Sequence, residues 1–156
     1  MTVPPHVAAS DCETVRPGCI GQPANTLSSL AFIVAAAPIT RAAQRRRRPA
    51  WRAVAAAAAL EGLGSVAYHG PGGRAAKTLH DAGLVALVAA VATALAAEGR
   101  PVTPLPRATV LAVAALTLHT LSRTGGPLCS CHSALQGHAL FHVLAAAALV
   151  AAAEGR

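Results

Sequence analysis

Long blocks of this chain carry no charge, and nothing constrains its fold more. Asp, Glu, Lys and Arg are absent from Pro17 to Thr40, from Ala82 to Ala97, from Ala108 to Ser122 and from Ser133 to Ala153. Ala53 to Gly73 holds a single acid, Glu61. A helix needs about 20 apolar residues to cross a bilayer core of about 30 Å. The pattern therefore predicts an all-α integral-membrane bundle, a single domain over 1–156 with five spans at about 25–42, 50–69, 78–97, 104–122 and 134–153. The fourth is the shortest and includes Arg107. It needs either a snorkelling arginine or a locally thin bilayer.

Composition excludes other classes. Charged residues are 12% of the 156 residues, against about 25% in soluble domains, and hydrophobic residues are 54%, so disorder is ruled out. A soluble helical bundle would give each helix a polar face, which these segments lack. One signal peptide does not account for apolar segments that recur to the C-terminus. The net charge of +7 does not indicate a nucleic-acid binder, because the basic residues concentrate in the run Arg45–Arg48 between two apolar segments.

Loop charge sets the orientation. Nine basic residues fall on one side, in the 41–52 loop, at Arg100 and Arg107, and at Arg156. Four fall on the other: Arg16, Arg74, Lys77 and Arg123. The positive-inside rule then places the N-terminus outside and the C-terminus in the cytoplasm. The Ala- and Arg-rich composition suggests a bacterial plasma membrane. Cys12, Cys19, Cys129 and Cys131 all fall on the predicted outer side, where disulfides persist. Three pairings are open. The Cys129-Ser130-Cys131 spacing is too tight for the usual zinc knuckle.

With this topology, polar groups gather in one layer near the outer face. Ser65 and His69 end the second span, His80 and Asp81 begin the third, and His119 lies near the end of the fourth. His138 and His142 sit about 6–12 Å into the fifth, at about 1.5 Å per residue. Ionisable groups inside a membrane are costly and usually functional. His138 and His142 are four residues apart and share a helix face, so both can bind one zinc ion. His69 would be the third ligand, leaving the open position of a catalytic zinc. Ser65, one turn before His69, is placed to hold the water or donate to an oxyanion. Asp81 is placed to exchange protons or orient a ligand. Glu61 reads as a buried acid with a partner on another helix, and His6, His119 and His132 as interfacial residues, with His80 second to Asp81.

Three blocks carry a family resemblance: Cys12-Glu13 followed by Asn25-Thr26-Leu27-Ser28-Ser29; Ser65-Val66-Ala67-Tyr68-His69 followed by Leu79-His80-Asp81; and Gln136-Gly137-His138-Ala139-Leu140-Phe141-His142. In these the chain resembles the alkaline ceramidases and their wider membrane-hydrolase superfamily, which includes the progestin and adiponectin receptors. The resemblance implies that His69, His138 and His142 ligate zinc while Ser65 and Asp81 assist its water. The implied reaction is hydrolysis of the amide of ceramide, or of a related N-acyl lipid drawn from the bilayer. The family has seven spans and reaches its site from the N-terminal side. Five spans here imply a smaller chamber or one completed by a homo-oligomer. Of the family's calcium-binding acids, Asp11 and Glu13 remain, and Gln22 stands where a further acid is expected.

Two alternatives come from other classes. Facing histidines at one depth can ligate haem in a membrane cytochrome. The four-residue spacing on one helix favours a small ion instead, and haem would leave Ser65 and Asp81 without a task. A receptor or structural protein that keeps the metal site without turnover is the other.

Overall fold

The computed structural model describes residues 9–99 and 106–155. His6, Arg100, Arg156 and the first residues of the predicted fourth span lie outside them. Among the described residues the chain is all-helical. After a 3-10 turn at Ala9–Asp11 come α1 (Pro23–Arg45), α2 (Trp51–His69), α3 (Arg74–Ala96), α4 (Pro106–Leu121) and α5 (Gly137–Ala153).

Five helices were expected and five are found, but their lengths differ from the expectation. Only α1 and α3, at 23 residues each, are long and apolar enough to cross a membrane. α2 carries Arg52, Glu61, Ser65 and His69 in 19 residues, while α4 and α5 are 16 and 17 residues long. α5 begins at Gly137 instead of 134 because the preceding residues form a side-chain-bonded turn. The N–H of Leu135 donates to Ser133 Oγ at 3.0 Å, and Gln136 Nε2 donates to the carbonyls of Ser130 and Ser133.

Helix α1 packs against both α2 and α5, α2 also against α3, and α5 against α4. Small residues allow the close approaches. A Cβ on Gly64 would lie 2.8 Å from the His80 backbone, and one on Gly83 would lie 2.8 Å from Glu61 Oε2 and 2.9 Å from Glu61 Cα. The α2–α3 crossing is thus built around two glycines, as packing in lipid favours.

The apolar core runs from Phe32, edge-on to His142 with centroids 5.8 Å apart, through Ile39, Val54, Leu87 and Ala146 to Trp51 at the far end. A polar latch closes that end. Arg48 pairs with Glu98, donates to the carbonyls of Ala152 and Ala153 at 3.1 and 2.7 Å, and stacks 4.7 Å over the Trp51 ring. Trp51 Nε1 donates to Glu98 Oε1 at 2.8 Å. Arg48 therefore satisfies orphan carbonyls at the end of α5. Elsewhere apolar side chains face outward, including Val85 and Val88 on α3 and Val110, Val113 and Leu116 on α4.

Candidate metal centre

The N-terminal strap positions the site. Cys12 is disulfide-bonded to Cys129 in the α4–α5 loop. Its φ of 67° puts it in the left-handed region, which costs a side-chain-bearing residue about 1–2 kcal/mol. The bridge and a bond from its N–H to Thr124 Oγ1 (3.1 Å) hold it there. Glu13 then reaches the start of α1, where its carboxylate accepts the N–H groups of Ala24 and Asn25 at 2.8 and 2.9 Å. Free N–H groups and a favourable dipole make a helix start the natural partner of a carboxylate. Pro23 occupies the first turn, where no amide proton is needed.

Gln22, fully buried, links the strap to the histidines. Its Nε2 donates to the Glu13 carbonyl at 2.8 Å, and its Oε1 accepts from His69 Nδ1 at 2.7 Å. The amide oxygen can only accept, so His69 carries its proton on Nδ1 and its lone pair on Nε2.

A second set of bonds fixes His142. The hydroxyls of Ser28 and Ser29 both donate to the Asn25 carbonyl, at 3.0 and 2.7 Å. Each has then used its proton. Ser28 Oγ must accept from His142 Nδ1 at 2.9 Å, which again leaves Nε2 with the lone pair. Ser29 Oγ must accept from Ser65 Oγ at 2.8 Å. Ser65, fully buried, is therefore left with acceptor capacity rather than a donor.

His69, His138 and His142 are all buried, and one nitrogen from each lies within 4.8 Å of the other two. Their ring centroids are 4.6 to 5.3 Å apart. Three buried imidazoles, two of them with tautomers fixed by hydrogen bonds, fit a borderline-soft divalent ion. His138 Nδ1 is buried with no hydrogen-bond partner among the described residues, and Asp11 Oδ1 lies 3.9 Å from it. Burial pushes the Asp11 carboxyl above the usual carboxylate range, against the pull of Arg123.

The three predicted ligands thus converge, with Ser65 beside them. Asp81 does not join them: it is half-exposed and pairs with Lys77 at 2.5 Å on its own helix. The adjacent His80 turns inward. Its Nε2 lies 3.3 Å from Glu61 Oε1 and its Nδ1 lies 3.3 Å from Asp81 Oδ1. Glu61, 5% exposed, so has its partner on another helix, and its Oε2 has no hydrogen-bond partner among the described residues. A cavity of about 440 Å³ opens beside the histidines, lined among others by Asp11, Glu61, His80, Asp81, His119 and His138. His119 stacks on Phe141, with centroids 4.7 Å apart, and reaches within 5.3 Å of His138. It belongs to the cavity wall, where an interfacial position was expected.

Sequence reasoning did not assign Gln22, Ser28 or Ser29 to the site. Their one available signal is spacing: Asn25, Ser28 and Ser29 recur at i, i+3 and i+4, a polar stripe on an otherwise apolar helix. No family model, curated protein or solved structure matches the chain.

Proposed function

We propose that this protein is a zinc-dependent integral-membrane hydrolase of the alkaline ceramidase type, cleaving the amide of ceramide or a related N-acyl lipid. The observation that carries the proposal is the buried trio His69, His138 and His142, with Nδ1 of two rings held by Gln22 and Ser28 so that Nε2 faces the trio. In this proposal all five helices are spans, the N-terminus and the cavity lie on the outer side, and outward valines and leucines meet lipid. The nine-to-four loop charge bias supports that orientation.

The three histidines would hold the ion. Zinc, when bound, lowers the pKa of a coordinated water to about 7 and polarises a carbonyl. Ser65 Oγ, its own proton committed to Ser29, would accept a hydrogen bond from the nucleophilic water and so orient it. His80 sits between the carboxylates of Glu61 and Asp81, and the three form a path along which a proton can move from the cavity to its rim. Asp81, at the rim, takes and returns that proton. The apolar faces of α3 and α4 beside the cavity accommodate acyl chains.

The test is metal analysis of detergent-purified protein with a hydrolysis assay on fluorescent N-acyl lipids, repeated for His142→Ala. About one zinc per chain and lipid cleavage are expected, both lost together in the variant. Full zinc in His142→Ala would overturn the ligand assignment, and a Soret band in the purified protein would assign haem instead. Zinc without cleavage of any N-acyl lipid would leave a binding protein in place of an enzyme.

A further inference from the structure

Three sulfur atoms cluster where the strap meets the α4–α5 loop. Besides the disulfide partners Cys12 and Cys129, the thiol of Cys131 lies 3.5 Å from Cys129 Sγ and 3.8 Å from Cys12 Sγ. Hydrogen bonds hold the two segments together. The N–H and Oγ1 of Thr14 both donate to the Cys131 carbonyl, at 3.1 and 3.0 Å. The N–H of Thr124 donates to the Ser10 carbonyl at 2.9 Å, and that of Cys129 to the Gly126 carbonyl at 3.0 Å. Cys131 is exposed, so base and solvent reach it. Cys19, the other free cysteine, has no place in this cluster.

We propose that Cys12, Cys129 and Cys131 form an internal thiol–disulfide exchange site in which Cys131 moves the bridge off Cys12. Cys131 Sγ, which lies beside the bond, loses its proton, turns in line with the Cys12–Cys129 bond and attacks Cys129 Sγ. The Cys131–Cys129 bond forms as the Cys129–Cys12 bond breaks. Cys12 leaves as a thiolate and takes up the proton that Cys131 gave up. No electrons enter or leave, so no outside oxidant or reductant is needed.

The exchange has a structural consequence. The bridge fastens the strap, and the next residue, Glu13, both caps α1 and anchors Gln22. Gln22 in turn holds His69. Freeing Cys12 also releases its left-handed backbone. One covalent bond therefore governs how firmly the histidine cluster is braced, whether or not that cluster supports turnover.

Peptide mapping tests this. Full-length protein is purified without reductant, held anaerobically at pH 8, quenched in acid, alkylated with a maleimide at low pH, and cut with a glutamate-specific protease and chymotrypsin. Cleavage after Glu13 separates Cys12 from Cys19, and cleavage near Leu128 and Leu135 isolates the Cys129–Cys131 peptide. Two forms are expected: Cys12–Cys129 with Cys131 alkylated, and Cys129–Cys131 with Cys12 alkylated. In Cys131→Ser, alkylation of Cys12 should fall at least about tenfold, since no attacking thiol remains. Equal Cys12 alkylation in both proteins, or none in the wild type, overturns the proposal. A Cys12–Cys131 bridge with Cys129 alkylated overturns the direction of attack. The wild-type map decides even if the variant folds poorly.

Discussion

Replacing Gln22 separates bracing of the metal site from its ligands. Gln22 is fully buried, and its Oε1 is the acceptor for His69 Nδ1 at 2.7 Å. In Gln22→Leu that acceptor is gone and the ring is free to rotate or to change tautomer. Losing such an outer partner typically weakens metal binding 10–100-fold, about 1.4–2.7 kcal/mol. The Glu13 carbonyl also loses its donor, and a buried group left unsatisfied costs about 1–3 kcal/mol of stability. Gln22→Glu keeps an acceptor for His69 but loses the donor to Glu13. Zinc affinity should therefore drop 10–100-fold in Gln22→Leu and stay within about threefold of the parent in Gln22→Glu, while both lose thermal stability. Competition against a chromophoric chelator measures the first, and unfolding followed by circular dichroism in the same detergent measures the second. If Gln22→Leu holds zinc as tightly as the parent, His69 is not oriented through this bond and the tautomer argument fails.

Three further outcomes are expected. Ser65→Ala and Asp81→Asn should keep zinc and lose turnover, Asp81→Asn by roughly 10²–10⁴ and Ser65→Ala by less because Ser65 only orients the water, read from hydrolysis rates and zinc content on the same samples; normal turnover in both would remove them from the chemistry. A membrane-impermeant thiol reagent should label Cys19 and Cys131 in intact cells, and labelling that requires lysis would invert the topology. Gly83→Ala should lower the melting temperature by several degrees, because its Cβ meets Glu61 2.8–2.9 Å away and overpacking costs about 1–3 kcal/mol; an unchanged melting curve would show that α2 and α3 separate at no cost.

Absence of charge located all five helices, and helical spacing plus common depth brought His69, His138 and His142 together. Both signals have limits visible in particular residues. Ser133 to Gln136 carry no charge but bond as a turn, so an uncharged loop was taken into the last span. His80 and Asp81 are neighbours about 100° apart on one helix, and spacing cannot say which faces inward. The structure turns His80 to Glu61 and leaves Asp81 with Lys77. Gln22 and Ser28 were named but not joined to the histidines, because a neutral side chain leaves no trace in charge patterning and its partner lies on another helix. Arg48 was counted with Arg45 to Arg47 as loop charge, although it donates to the carbonyls that end α5.

The ligand geometry also has a mechanical side. His69 belongs to α2 and His138 and His142 to α5, and these two helices are joined in the fold chiefly through α1, which packs against both. An ion among the three rings would act as a rivet across that gap. At the opposite end, Arg48, Glu98 and Trp51 form a hinge pin that needs no ion. A chelator should therefore splay the bundle from one end only. Amide exchange should speed up at the start of α5 and the end of α2, while the residues around Trp51 keep their protection.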